Sequence, residues 1–272
     1  MVSDGTKLRL QIIDEKDRNE YSFFIVPGFN SYLFAWEEFI KKVQKSKLSA
    51  NIYFLETREK DTSFVATTDF SLERYGKDIL EVIKQLELVE EKTVIISSSI
   101  SSSALLWLFA RKKVHPCYAF LVSPLPCLPY PKISVWYSLF LPPKVHQKVT
   151  KPLSKFFSHF FTWPDTRQHQ YVLYGINRIN WEKFSMFVNS IKDFNILREE
   201  LEKIAIPVVI VGAKKDKGHP IRYVKKIAKT IENAEFFEAK YNSETVGEFL
   251  WKLIKGKLNC ASNITAKLHV FT

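Results

Sequence analysis

Cysteine, glycine and an apolar N-terminal run are what this sequence has least of, and each shortage excludes something. The three cysteines, Cys117, Cys127 and Cys260, form neither a Cys-x-x-Cys pair nor an even framework. That fits a reducing interior with no disulfide scaffold and no zinc site, and no other cofactor is expected. With only eight glycines in 272 residues, each one at a motif position is informative. The opening Met-Val-Ser-Asp-Gly-Thr-Lys has no apolar stretch of the signal-peptide kind, so a cytoplasmic location is expected. One charge-free stretch, the 18 residues from Thr93 to Ala110, only reaches the lower edge of a spanning helix. Its first part is β-branched and its middle holds six serines, which a strand, a tight turn and a buried helix explain better than a bilayer. No transmembrane segment is expected.

What the chain has in excess is positive charge, a formal +11 with pI near 9.4. Lysines are spread along the whole length with no dense run, which reads as a solubilising surface. A nucleic-acid partner is not expected, and peripheral contact with a membrane stays open.

Periodicity predicts an α/β fold with a mostly parallel sheet. Lys7–Ile13 alternates, and Tyr21–Val26 is a continuous apolar run ending at Pro27-Gly28. Helical spacing follows over residues 33–46, then a strand at 51–55 and a helix that Ser71 would cap. Strands at 93–96 and 118–122 flank a helix from about Ser102 to Lys112. After a gap the alternation resumes: a strand at 206–212, a helix at 220–231, a strand at 234–239 and a helix at 245–254. Strands alternating with helices of this length argue for βαβ units. The gap, 124–203, opens on a proline-rich exit, Ser123-Pro-Leu-Pro-Cys-Leu-Pro-Tyr-Pro, that continues neither strand nor helix. Fourteen of the 58 residues from 130 to 187 are aromatic, against 14% for the chain, as in a small separate core or the wall of an apolar pocket. Within it Phe156, Phe157, Phe160 and Phe161, with Trp163, fall on one helical stripe expected to face the sheet or the pocket.

Chemistry is suggested by Val94-Ile-Ile-Ser97-Ser98-Ser99-Ile100-Ser101, a buried strand entering a helix through small-x-Ser-x-small. That is the layout of a nucleophile elbow, whose flanking residues are small because strand and helix pass so close together. Serine-rich turns are common, and Asp216, set amid Lys214, Lys215 and Lys217, also reads as a solvated turn residue.

Around the elbow the chain resembles the α/β-hydrolase superfamily. Phe23-Phe-Ile-Val-Pro27-Gly28-Phe29-Asn30, with Trp36 beyond, is similar to its oxyanion-loop segment. Leu55-Glu56-Thr57-Arg58, with Ser63 and Phe70-Ser71, is similar to the next strand, turn and helix, without the acid and glycines of the family's turn. Ile206-Pro-Val-Val-Ile-Val-Gly212-Ala-Lys-Lys-Asp216 is similar to the penultimate strand. The resemblance implies a core of 1–123 and 204–272 and a helical, aromatic-rich cap of 124–203. It implies Ser99 as nucleophile, Asp216 as triad acid, and the backbone N–H groups of Phe29 and Ile100 as oxyanion hole.

The family's histidine would follow the last strand, where this chain reads Lys240-Tyr-Asn-Ser-Glu-Thr245-Val with none. His219, three residues past Asp216, is expected at a helix start rather than opposite Ser99. His269 reaches the site only if the C-terminal tail folds back, and His146, His159 and His169 fall in the cap. The histidine is thus unassigned, with His269 and His219 as candidates. Two readings follow. One is a serine hydrolase of esterase or lipase type acting on a small apolar acyl substrate. The other is a catalytically impaired member that binds a hydrophobic ligand or a protein partner through the cap groove. Without a general base the serine is a poor nucleophile, so slow turnover of model esters is expected.

Overall fold

Apolar strands that run unbroken for five or six residues need cover on both faces, and helices supply it. The structure is a computed structural model that describes residues 1–14, 20–46, 48, 50–128 and 142–268. Strands β1 (Arg9–Asp14), β2 (Tyr21–Val26), β3 (Ala50–Glu56), β4 (Thr93–Ser98), β5 (Tyr118–Val122), β6 (Val208–Ala213) and β7 (Ala234–Ala239) form one sheet. Their order is β1-β3-β2-β4-β5-β6-β7, with β1 antiparallel to β3 and the other neighbours parallel. The mostly parallel α/β sheet read from the sequence is the one observed.

The longer helices are α1 (Leu33–Gln44), α2 (Leu72–Gln85), α3 (Ser99–Ala110), α4 (Lys151–Thr162), α5 (Thr166–Arg178), α6 (Trp181–Ile191), α7 (Ile221–Thr230) and α8 (Glu248–Leu268). Side chains alternate along each strand between two cores. Phe23, Ile25, Val94 and Ile96 pack under α1 and α8, while Phe24, Val26 and Ile95 pack under α2, α3 and α7. Ser71 caps α2 as read, its Oγ accepting from the Arg74 N–H at 3.2 Å. Arg58 is fully buried, donating to both oxygens of Asp78 at 2.7 and 2.8 Å.

Several boundaries differ from the sequence reading, the largest difference being α8, which runs to Leu268 rather than to residue 254. Helix α3 begins at Ser99, not near Ser102, because the chain turns from strand to helix with no loop between. The residues after β7 form a short 3-10 turn, Asn242–Val246, before α8 begins at Glu248.

Residues between β5 and β6 add α4, α5 and α6 over the C-terminal ends of the strands, and the proline-rich exit is described only as far as residue 128. Their contact with the sheet is tight at Gly175 of α5, where a Cβ would lie 2.3 Å from the Asn30 carbonyl oxygen. Gly175→Ala is therefore expected to destabilise the chain by about 1–3 kcal/mol, read as a lower urea midpoint.

The stripe on α4 meets expectation only in part: Phe157 and Phe161 line a cavity beneath the helix, but all five aromatic residues stay largely exposed. Phe156 is 62% exposed, Phe157 46%, Phe160 56%, Phe161 59% and Trp163 60%. The edge that packs inward is Ser154, Ser158 and Thr162, of which Ser158 is the most buried. Small side chains there let α4 sit close to its neighbours, and Thr162 Oγ1 pairs with His169 Nδ1 of α5 at 3.2 Å. Phe156, Phe160 and Trp163 are left to the outside. No helix among the described residues is long and apolar enough to cross a membrane.

Candidate functional site

Sheet order reverses between β2 and β4, both of which neighbour in space but not in sequence. Ligands in open α/β sheets bind at such a point, outside the carboxyl ends of the strands. There β2 ends in Pro27-Gly28-Phe29 and β4 ends in the serine run.

Ser99, the first residue of α3, has φ of 52°, in the left-handed region that non-glycine residues seldom occupy. Holding it there costs on the order of 1–3 kcal/mol, so the surroundings must over-determine it. The other five serines do so. Ser97 Oγ pairs with Ser102 Oγ at 2.8 Å, and Ser101 Oγ donates to the Pro27 carbonyl at 2.7 Å. Ser103 Oγ donates to the Leu125 carbonyl at 2.8 Å, and Ser98 Oγ accepts from the Gly28 N–H at 2.8 Å. These buried hydroxyls stitch the end of β4 and the loops after β2 and β5 to the turn, and each is satisfied. The Pro27–Asn30 loop passes so close that a Cβ on Gly28 would lie 2.7 Å from Ser99 Cβ. Only glycine fits.

Ser99 Oγ lies 2.8 Å from His219 Nε2, and His219 Nδ1 lies 2.9 Å from Asp216 Oδ2. A carboxylate only accepts, so Nδ1 carries the proton, Nε2 presents its lone pair, and the Ser99 hydroxyl donates. Asp216 and His219 share the loop between β6 and α7. Asp216 Oδ1 accepts from the backbone N–H groups of Gly218 and His219 at 2.8 and 3.0 Å, which folds the loop back on itself. Asp216 Oδ2 also accepts from Asn242 Nδ2 at 2.7 Å. Asn242 comes from the loop after β7, where the resemblance would have put the histidine.

The electrostatics are those of a coupled pair. Burial pushes the Asp216 carboxyl up, but the His219 imidazole and the loop amides outweigh it and hold the acid below its ordinary range. Burial pushes His219 down, yet the Asp216 charge and hydrogen bond prevail and raise it above the ordinary imidazole value.

Phe29 and Ile100 flank Ser99, on the Pro27–Asn30 loop and the first turn of α3. Neither backbone N–H donates to another of the described residues. The carbonyl of the Gly28–Phe29 peptide accepts from the buried Lys60 Nζ at 2.8 Å. A cation on the carbonyl polarises the whole peptide unit and makes its N–H, that of Phe29, the better donor.

Two cavities meet here. An inner one of about 110 Å³ is lined by Gly28, Phe29, Ser99, Ser123 and His219. An outer one of about 510 Å³ runs beneath α4 and α5, with Leu153, Phe157, Phe161, Val172 and Ile176 on its wall. Phe29, His219 and Asn242 border both.

Ser99 and Asp216 are thus brought together, and His219 stands between them rather than remote from Ser99 at a helix start. His269 lies outside the described residues. His146 stacks on Trp181 at 5.5 Å, and His159 and His169 lie in α4 and α5 without lining either cavity. The missed signal was Asp216-Lys-Gly218-His219-Pro220: a glycine and a proline around the histidine favour a turn, and an i, i+3 spacing lets one loop carry both partners. Among the described residues no cluster could hold a metal ion.

No family model matches the chain, and no curated protein matches it. Solved structures do. An enol-lactonase from Burkholderia xenovorans LB400 superimposes with a TM-score of 0.78 at 16% identity, covering 94% of this chain and 97% of that one. An esterase from Exiguobacterium antarcticum gives 0.74 at 17% identity and 97% coverage of each. A bromoperoxidase from Bacillus anthracis gives 0.71 at 12% identity and 96% coverage of each. At such identities the likeness is one of fold.

Proposed function

We propose that this chain, whose fold is that of the α/β-hydrolases, is a serine hydrolase cleaving carboxylic esters of an apolar acyl group, with Ser99, His219 and Asp216 as its triad. The observation that carries the reading is the 2.8 Å contact of Ser99 Oγ with His219 Nε2, on a serine held at positive φ. His219 takes the Ser99 proton as Oγ attacks the acyl carbon, then returns it to the leaving alkoxide. Asp216 keeps the imidazole in the required tautomer and favours the imidazolium that forms. The N–H groups of Phe29 and Ile100, unpaired among the described residues, receive the oxyanion, a contribution of a few kcal/mol each. Water, activated by the same imidazole, then releases the acid from the acyl-serine.

Residues 124–203 serve as a cap over a core made of 1–123 and 204–272, and the outer cavity takes the acyl chain. The apolar wall of that cavity supports an apolar substrate, and esterases among proteins of the same fold support ester cleavage. The impaired-binder reading rests on a missing base, and the contact of His219 Nε2 with Ser99 Oγ favours the hydrolase instead.

Exposure to a fluorophosphonate probe tests this. Labelling is expected to be fast and stoichiometric in the parent and absent in Ser99→Ala, with the adduct found on the peptide that carries Ser99. Slow labelling, or an adduct on another serine, would sink the reading.

A further inference from the structure

The outward face of α4 remains unexplained by any packing among the described residues. Leu153, Phe156, Phe157, Phe160, Phe161 and Trp163 are all exposed, on a helix whose inward edge is serine and threonine. A contiguous aromatic face of this kind marks an interaction surface. Its chemistry names the partner. From Pro142 to Pro164 the chain has four lysines, Lys144, Lys148, Lys151 and Lys155, and no acidic residue. From the opposite side the exposed Lys217 reaches over and donates to the Phe160 carbonyl at 2.6 Å, with Lys215 exposed beside it. The nearest acids are turned inward: Asp165 caps α5, and Asp216 holds His219.

Rings with Lys217 at their edge, lysines along the same segment and no acid among them match a surface that is apolar beneath and anionic on top. We infer that the α4 face docks on an anionic lipid bilayer, with the rings at the acyl boundary and the lysines among the headgroups. Phe157 and Phe161 belong both to this face and to the wall of the outer cavity, so docking sets the cavity mouth against the bilayer. The surface stands on exposure and charge alone, so it holds whether or not the chain is a hydrolase.

Co-sedimentation with vesicles tests it without reference to activity. The full chain is mixed with vesicles of phosphatidylcholine alone or of phosphatidylcholine with phosphatidylglycerol. Binding to the mixed vesicles is expected to be at least roughly tenfold tighter, and to weaken as salt is raised. The triple variant Phe156→Ser, Phe160→Ser, Trp163→Ser changes rings that do not line the cavity. It is expected to lose at least roughly tenfold in vesicle binding. Lys144→Gln, Lys148→Gln, Lys155→Gln together should lose a similar factor and much of the salt dependence. Unchanged circular dichroism and urea midpoints show that both variants fold. Equal binding to the two vesicle types, or no loss in the ring variant, overturns the inference. So does a parent that elutes as a dimer, becomes a monomer in the ring variant and ignores vesicles, because a second copy would then cover the face.

Discussion

His219→Ala is expected to lower kcat for a model acyl ester by on the order of 10⁶-fold, leaving KM within a few-fold of the parent. The reason is that His219 is the one base within reach of the Ser99 hydroxyl among the described residues, at 2.8 Å. Asp216, 2.9 Å from the far side of the ring, has no path to the hydroxyl once the imidazole is gone. The two cavities lose one wall group but keep their apolar lining, so ground-state binding should survive. Members of such a unit act together, so Ser99→Ala with His219→Ala should be hardly slower than either alone. Steady-state kinetics on the three variants check this. A single His219→Ala variant that keeps more than about a tenth of the parent kcat would show that the base lies elsewhere, with His269 the next substitution.

Asp216→Asn comes next in size, an expected loss of about 10⁴-fold in kcat. Four N–H donors converge on the carboxylate: Gly218 and His219 backbone groups on one oxygen, His219 Nδ1 and Asn242 Nδ2 on the other. An amide offers one oxygen. If it faces the loop amides, its NH₂ meets His219 Nδ1, and the ring must carry its proton on Nε2, where Ser99 needs a lone pair. If it faces the ring, the loop amides lose their acceptor and the turn loosens.

The pH profile separates this from simple misfolding. Because Asp216 raises His219, the acid limb of kcat/KM in the parent should have its midpoint above about 6.5, activity rising as the imidazole loses its proton. In Asp216→Asn the limb should move to lower pH. An unmoved limb would mean that Asp216 does not govern the ring.

Linkage follows from the same shifts. The raised His219 contributes stability that is full below about pH 6.5 and is lost as pH rises through its folded value. The depressed Asp216 contributes stability that is full above about pH 3.9 and is lost as pH falls through its own folded value.

Much of the fold could be read from residue order because the relevant forces are local and periodic. Tyr21–Val26 and Thr93–Ile96 are continuous apolar runs because both faces of those strands are covered, and their alternation with helical segments predicted a parallel sheet with helices on each side. Ser99 was legible because a β-branched strand can enter a helix within one residue only through small neighbours, and Ser97 and Ser101 are fully buried. Ser71 as a cap was likewise a matter of three residues. Sequence by itself therefore determined the sheet, the elbow and the pairing of Ser99 with Asp216 as candidates.

Tertiary structure decided the rest, where the outcome depends on groups far apart in the chain. Whether His219 meets Ser99 turns on β4, β5 and β6 lying side by side, and on the Asp216 carboxylate folding its own loop back by two backbone hydrogen bonds. No periodicity encodes that, since one residue of difference in the loop would aim the ring elsewhere. The direction of α4 is the same kind of fact. An aromatic stripe states that one side of the helix is apolar, but which side packs is settled by the neighbour. Here the side turned in carries Ser154, Ser158 and Thr162, which line the outer cavity with Phe157 and Phe161, while Phe156, Phe160 and Trp163 are turned outward.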